Sequence, residues 1–327
     1  MKFAATLLLS CSALMTASNA FADAPSVVVS IKPIHSLVAS VMKGVAEPKL
    51  IVEGAASPHT YNMRPSNASA LQKADLIFWV GHGMEAFLEK PLEALGTKAA
   101  VVSLEDAPGL TKLKFREGGV FEPEAEEEGH DHGHSHGSED HAAGAEDDGD
   151  HDHDGNDVHL WLDPMNAKAM AQEIEKALVQ ADPENATTYQ ANGADLMKRL
   201  DALDTELKTT LEPVKNKPFI VFHDAYQYFE NRYGVKVAGS ITVSPESIPG
   251  AERVKEIHQK VEELGATCVF AEPQFEPKLV KVVTEGSKAR SGVLDPEAGA
   301  LTEGPDLYFE LMRGLATSLK TCLSQAF

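Results

Sequence analysis

Seven short apolar runs rich in β-branched residues punctuate this chain: "SVVVSI", "PKLIVEG", "ADLIFWVG", "AAVVSL", "KPFIVFHD", "ATCVFAEPQ" and "SGVLDP". Helical patterns follow them. Short continuous apolar runs alternating with helices describe parallel strands covered on both faces. The runs fall into an early group of four and a late group of three. Between the groups, Asn166 to Leu211 shows no strand signal and has the pattern of a long amphipathic helix, punctuated at Asp182-Pro183. The expectation is an α/β fold with two lobes, each a central parallel sheet flanked by helices, joined by a long helix. The lobes are placed at 23–165 and 183–327, with a linking helix at 166–182.

One segment cannot belong to either core. Residues 122–157 hold fifteen acids and no Lys or Arg, and Glu128–Asp157 contains seven of the thirteen histidines and no aliphatic side chain larger than Ala. Such a composition cannot bury enough apolar surface to offset the entropy of ordering, so a loop without order of its own is expected over 122–157. It also carries most of the charge. The whole chain has a formal charge of −21, and without these fifteen acids the remainder is −21 + 15 = −6. An acidic chain with no basic stripe repels phosphate backbones, which argues against nucleic acid as a partner.

The first 22 residues read as a secretory signal peptide: Lys2, an apolar stretch, then Ala20 and Ala22 in an A-x-A arrangement, with cleavage expected after Ala22. The run is too short, and too interrupted by Ser, Cys, Thr and Asn, for a membrane span. After cleavage two cysteines remain, Cys268 and Cys322. In an exported chain they suggest a disulfide, with two buried thiols as the alternative.

Six histidines lie outside the acidic segment. Three have informative neighbours: His59 in "GAASPHTYNMRPS", His159 in "DVHLWLDP" and His223 in "FIVFHDAYQYF". His223 stands where a strand ends and a helix begins, and Asp295 in "SGVLDP" also ends a strand. Ligand sites in open α/β sheets form outside the carboxyl ends of strands. Three neutral imidazoles and a carboxylate suit a tetrahedral zinc ion, whereas Mn²⁺ prefers more oxygen. Glu272 in "FAEPQ" is expected to hold a ligand imidazole from behind rather than to bind metal. Trp161, Tyr226 and Phe222 are expected to pack around the site. His35 and His82 each follow a strand and could approach the cleft; His258 reads as surface.

The motifs "SPHTYNMRPS", "ADLIFWVGHGMEAFL", "HLWLDP", "VFHDAYQYF", "CVFAEPQF" and "LDP", in this order from about Ser30 to Cys322, resemble the periplasmic zinc-binding components of high-affinity zinc ABC importers, the ZnuA type. The resemblance implies two pseudo-similar lobes and a rigid connecting helix. It places metal ligands on His59, His159 and His223, and the family's acidic position on Asp295. Manganese-carrying relatives have a carboxylate where His223 stands, so the pattern is that of the zinc branch. Some zinc members place Glu before the first histidine; here Pro58 stands there, which leaves Asp295 or water as fourth ligand, and Asp295 is the expected one. The family disulfide falls on Cys268 and Cys322.

The resemblance further implies a periplasmic, monomeric binding protein that carries Zn²⁺ as transported ligand to a membrane permease and is not an enzyme. His130, His132, His134, His136, His141, His151 and His153 then form an auxiliary metal loop that captures zinc or senses its abundance. Two alternatives stand beside this: a zinc hydrolase, disfavoured because no "HExxH" or paired general base is present, and a metal buffer or chaperone with no permease.

Overall fold

A computed structural model describes residues 24–116, 155–242, 245, 249–265 and 267–325. The expected signal peptide and all seven histidines of the acidic loop lie outside the described residues.

The early runs form β1 (Val27–Val29), β2 (Lys49–Leu50), β3 (Leu76–Trp79) and β4 (Ala100–Ser103). They make an all-parallel sheet in the order β2-β1-β3-β4. β1 and β3 are buried throughout, as central strands covered on both faces must be. The crossovers are α1 (Lys32–Val41), α2 (Pro65–Lys73) and α3 (Glu89–Leu95). The second half repeats the plan. Its strands β5 (Pro218–His223), β6 (Lys236–Thr242), β7 (Cys268–Ala271) and β8 (Arg290–Val293) pair in the order β6-β5-β7-β8, again all parallel. α6 (Gln227–Tyr233), α7 (Ala251–Leu264) and α8 (Lys278–Thr284) connect them. The two orders are the same, so the halves are structural repeats.

β6 escapes the strand pattern. "KVAGSIT" is interrupted by Gly and Ser and lies at the sheet edge, where one flank needs no covering.

Between the sheets lie α4 (Pro164–Ala181) and α5 (Ala186–Leu211). The motif "LDP" explains where α4 begins. The Asp163 side chain accepts the N–H of Met165 at 2.8 Å, and Pro164 fills a first-turn position whose N–H would go unused. Asp182 and Pro183 interrupt the path for one short turn before α5. α5 is 26 residues long, about 39 Å at 1.5 Å per residue, and packs against α1 of the first half and against the last helix, α9 (Leu307–Ser324). The bridging element therefore runs on to Leu211, beyond residue 182.

One continuous apolar core joins the halves, from Val28, Ile34 and Phe78 through Met170, Leu200 and Leu207 to Phe219, Phe270 and Leu319. The outer face of the second sheet has its own smaller core around Ile220, Phe222, Ile257 and Val269. A Cys268–Cys322 disulfide, with Cα atoms 6.2 Å apart, ties β7 to α9. Among the described residues no helix is long and apolar enough to cross a membrane.

Candidate metal centre

His59, His159 and His223 meet between the two halves. Each arrives by a different local device. Pro58 starts a short 3-10 turn, Pro58–Thr60, that presents His59 beyond β2. His159 caps a second such turn, Leu160–Leu162, and its geometry is set by Asp157 two residues earlier. One carboxylate oxygen of Asp157 accepts both the His159 backbone N–H, at 3.0 Å, and its Nδ1, at 2.8 Å. His223 is the last residue of β5. Glu272 directly follows the neighbouring strand β7, and its Oε2 accepts from His223 Nδ1 at 2.6 Å. Its other oxygen accepts from the Tyr226 hydroxyl at 3.2 Å. This crevice outside the carboxyl ends of β5 and β7 lies where the strand order reverses.

The far ring nitrogens converge. His159 Nε2 stands 3.3 Å from His59 Nε2 and 3.3 Å from His223 Nε2. All three facing nitrogens lie within 4.8 Å of one another. Two nitrogens bound at about 2.0–2.1 Å to a tetrahedral zinc ion stand about 3.3 Å apart, so the spacing fits one shared ion. The tautomers agree. With Nδ1–H given to Asp157 and Glu272, neutral His159 and His223 turn Nε2 lone pairs toward each other. Only a proton or a metal cation between them makes that arrangement favourable.

The local field fits the same role. Burial, reinforced by the neighbouring imidazoles, lowers the His59 and His159 pKa values well below the usual range and keeps both rings neutral. Burial also opposes charge on His223, but Glu272, Asp224 and Asp157 offset it and raise its pKa. Burial pushes the Asp157 carboxyl up to about 7. Trp161 is fully buried against the His159 ring, centroids 5.5 Å apart. Phe222 stacks on Phe275 at 4.7 Å, and Phe275 meets the His223 ring edge-on. His59 alone of the three retains partial exposure.

The remaining expected residues fall as follows. Asp295 lies outside the imidazole group: its Oδ1 accepts from Gln274 Nε2 at 2.7 Å and its Oδ2 from Ala300 N at 3.2 Å. His35 is buried in α1, where Nε2 bonds the Pro48 carbonyl oxygen at 2.9 Å. His82 is exposed beside Glu89. His258 sits on α7 with Nδ1 3.1 Å from the Val283 carbonyl oxygen.

Asp157 was hidden in the sequence because it closes the acidic run. In the structure Asn156 bridges Lys114, and Asp157 is buried. The Tyr228 hydroxyl donates to the Asp157 carbonyl at 2.7 Å and accepts from Leu113 N. Arg116 is also unanticipated. Its guanidinium pairs with Asp224, next to His223, and with Glu230 at 2.7 Å. Arg116 and Asp157, on either side of the clustered histidines in the sequence, thus both lie beside metal-centre residues. "D-x-H" spacing was the available signal for Asp157; Arg116 offered none.

A family model described as zinc-uptake complex component A periplasmic matches residues 27–322. The chain is similar to the high-affinity zinc uptake system protein ZnuA of Brucella suis biovar 1 (strain 1330), 59% identical over 315 residues that cover 94% of each chain. The protein of the same name from Paracoccus denitrificans (strain Pd 1222) is 42% identical over 92% of this chain and 93% of its own. A solved ZnuA crystal structure superimposes with a TM-score of 0.72 at 25% identity, covering 92% of this chain and 99% of that one. The periplasmic zinc binding protein TroA of Treponema pallidum shares the fold, with a TM-score of 0.73 at 18% identity. The chain belongs to the family of periplasmic A components of zinc-uptake complexes.

Proposed function

We propose that His59, His159 and His223 bind one Zn²⁺ for import, and that the chain delivers it to the permease of an ABC importer. The family is one of solute-binding transport proteins. The observation that carries the site is the pair of Nε2–Nε2 separations of 3.3 Å between rings whose Nδ1 atoms are held by carboxylates. Asp295 is already hydrogen-bonded through both oxygens, so water completes the coordination. A monomer exported by a cleaved signal peptide fits this role.

The acidic histidine loop serves as an auxiliary zinc-collecting segment. The rooting of Arg116 on Asp224 and of Asp157 on His159 supports this, since both ends of the segment lie next to ligands. Fixing backbone around a metal costs about 1–2 kcal/mol per residue, so sites in a segment of this composition should be weaker than the preformed centre. Calorimetric zinc titration of the mature chain tests both statements. One tight site should vanish in His159→Ala, and only weaker sites should vanish when residues 125–154 are deleted. Retention of the tight site in His159→Ala would refute the assignment.

A further inference from the structure

We infer that the loop Asp295–Leu301, pinned by Lys32, is the keystone that holds the three ligand-bearing segments in register and so sets how long zinc is retained. The inference rests on the proposed metal centre and extends it to residues that touch neither metal nor ligands.

The loop meets the support of each histidine. The Pro296 carbonyl accepts the indole N–H of Trp161 at 2.9 Å, two residues after His159. Gly299 lies so close to Ala55, four residues before His59, that a methyl group on it would come within 2.9 Å of the Ala55 Cα. The same methyl would lie 3.1 Å from Gln274 Nε2. Gln274 in turn holds Asp295 and lies two residues after Glu272, the acceptor for His223.

Lys32, at the start of α1 in the first half, fixes the loop from the opposite lobe. It is only 4% exposed. Its ammonium donates to the carbonyls of Ala298 at 3.3 Å, Gly299 at 3.1 Å and Leu301 at 2.8 Å, with Glu303 at 3.5 Å. A buried cation is tolerated only when so surrounded. The loop also holds Ala298, fully buried, in the left-handed region at φ 57°, a conformation that persists only where neighbours over-determine it. Beside the loop lies a partly open, mainly apolar pocket of about 210 Å³ lined by Val293, Leu301, Leu311 and Leu315, with Asp295 and Glu310 at its wall. A loop backed by space is held by the contacts on its other face, and Lys32 supplies most of the polar ones.

Stopped-flow zinc release to a competing chelator, on the full mature chain with Zn²⁺ alone as probe, tests this. Lys32→Met and Gly299→Ala should each release zinc about tenfold faster or more, with association unchanged, as loss of outer support does. The Co²⁺-loaded variants should show altered d–d bands, which a purely structural defect would leave in place. The two variants break opposite sides of one contact network, so misfolding of one leaves the other informative. Release within about twofold of wild type in a cooperatively melting variant overturns the inference. Failure of the metal reading looks different, because wild type itself would then hold no zinc.

Discussion

His159 and His223 each commit Nδ1 to a carboxylate and aim Nε2 at the same point, and this division decides what substitutions should do. Replacing Glu272 by Gln or Asp157 by Asn keeps shape but weakens the acceptor. Zinc affinity should then fall about 10–100-fold by calorimetry, without loss of stoichiometry. Asp295→Ala removes the bonds to Gln274 and Ala300, so it should weaken zinc retention while leaving stoichiometry and the three-imidazole ligand set unchanged. The pH dependence follows from unequal shifts. His59 and His159 are lowered and already neutral near pH 7, whereas His223 is raised and carries a proton there more readily. The proton that zinc displaces on binding therefore comes chiefly from His223, and affinity should fall as pH drops through the range in which that ring takes up its proton. Calorimetry in buffers of differing ionisation enthalpy counts that proton; release of three would contradict these shifts. At this scale the sequence marked the three histidines that converge and Glu272, through two loop motifs for His59 and His159 and two strand-end motifs for His223 and Glu272. Lys32 and Gly299 were illegible, since Lys32 meets the loop, and Gly299 meets Ala55, across more than two hundred residues, and no motif encodes such packing.

Among the elements, α5 and the disulfide carry the mechanical burden. The Cys268–Cys322 bridge closes a 54-residue separation. Its removal in Cys268→Ser/Cys322→Ser should cost about 4 kcal/mol in the chain-entropy account, read by equilibrium denaturation. Zinc binding should survive in the protein that remains folded, because neither cysteine contacts the centre. Seven of the eight strands were legible as continuous apolar runs. β6 was not, because Gly239 and Ser240 interrupt its apolar run at the sheet edge. The punctuated helix over 166–211 was legible from its period and from Asp182-Pro183. How far it bridges depends on packing against α1 and α9, which the pattern alone does not encode.

The molecule as a whole reads as two repeats on a shared core. Because Leu200, Leu207 and Leu319 belong to the same apolar cluster as Phe78 and Phe270, the halves cannot separate without exposing it. Ligand release by wide hinge opening is therefore disfavoured. Solution scattering profiles of apo and zinc-loaded protein should superimpose; a large closure would show that the core yields. Local rearrangement near Lys32 and the Asp295–Leu301 loop is the route consistent with this frame.

The central claim is a single ion gripped by three imidazoles from distant parts of the chain. X-ray absorption of protein loaded with one equivalent of zinc, after deletion of residues 125–154, measures that directly. The prediction is a four-coordinate shell of nitrogen and oxygen at about 2.0–2.1 Å with multiple-scattering features of three imidazoles, reduced to two in His223→Ala. A spectrum with one imidazole or none, or one unchanged by His223→Ala, would contradict it.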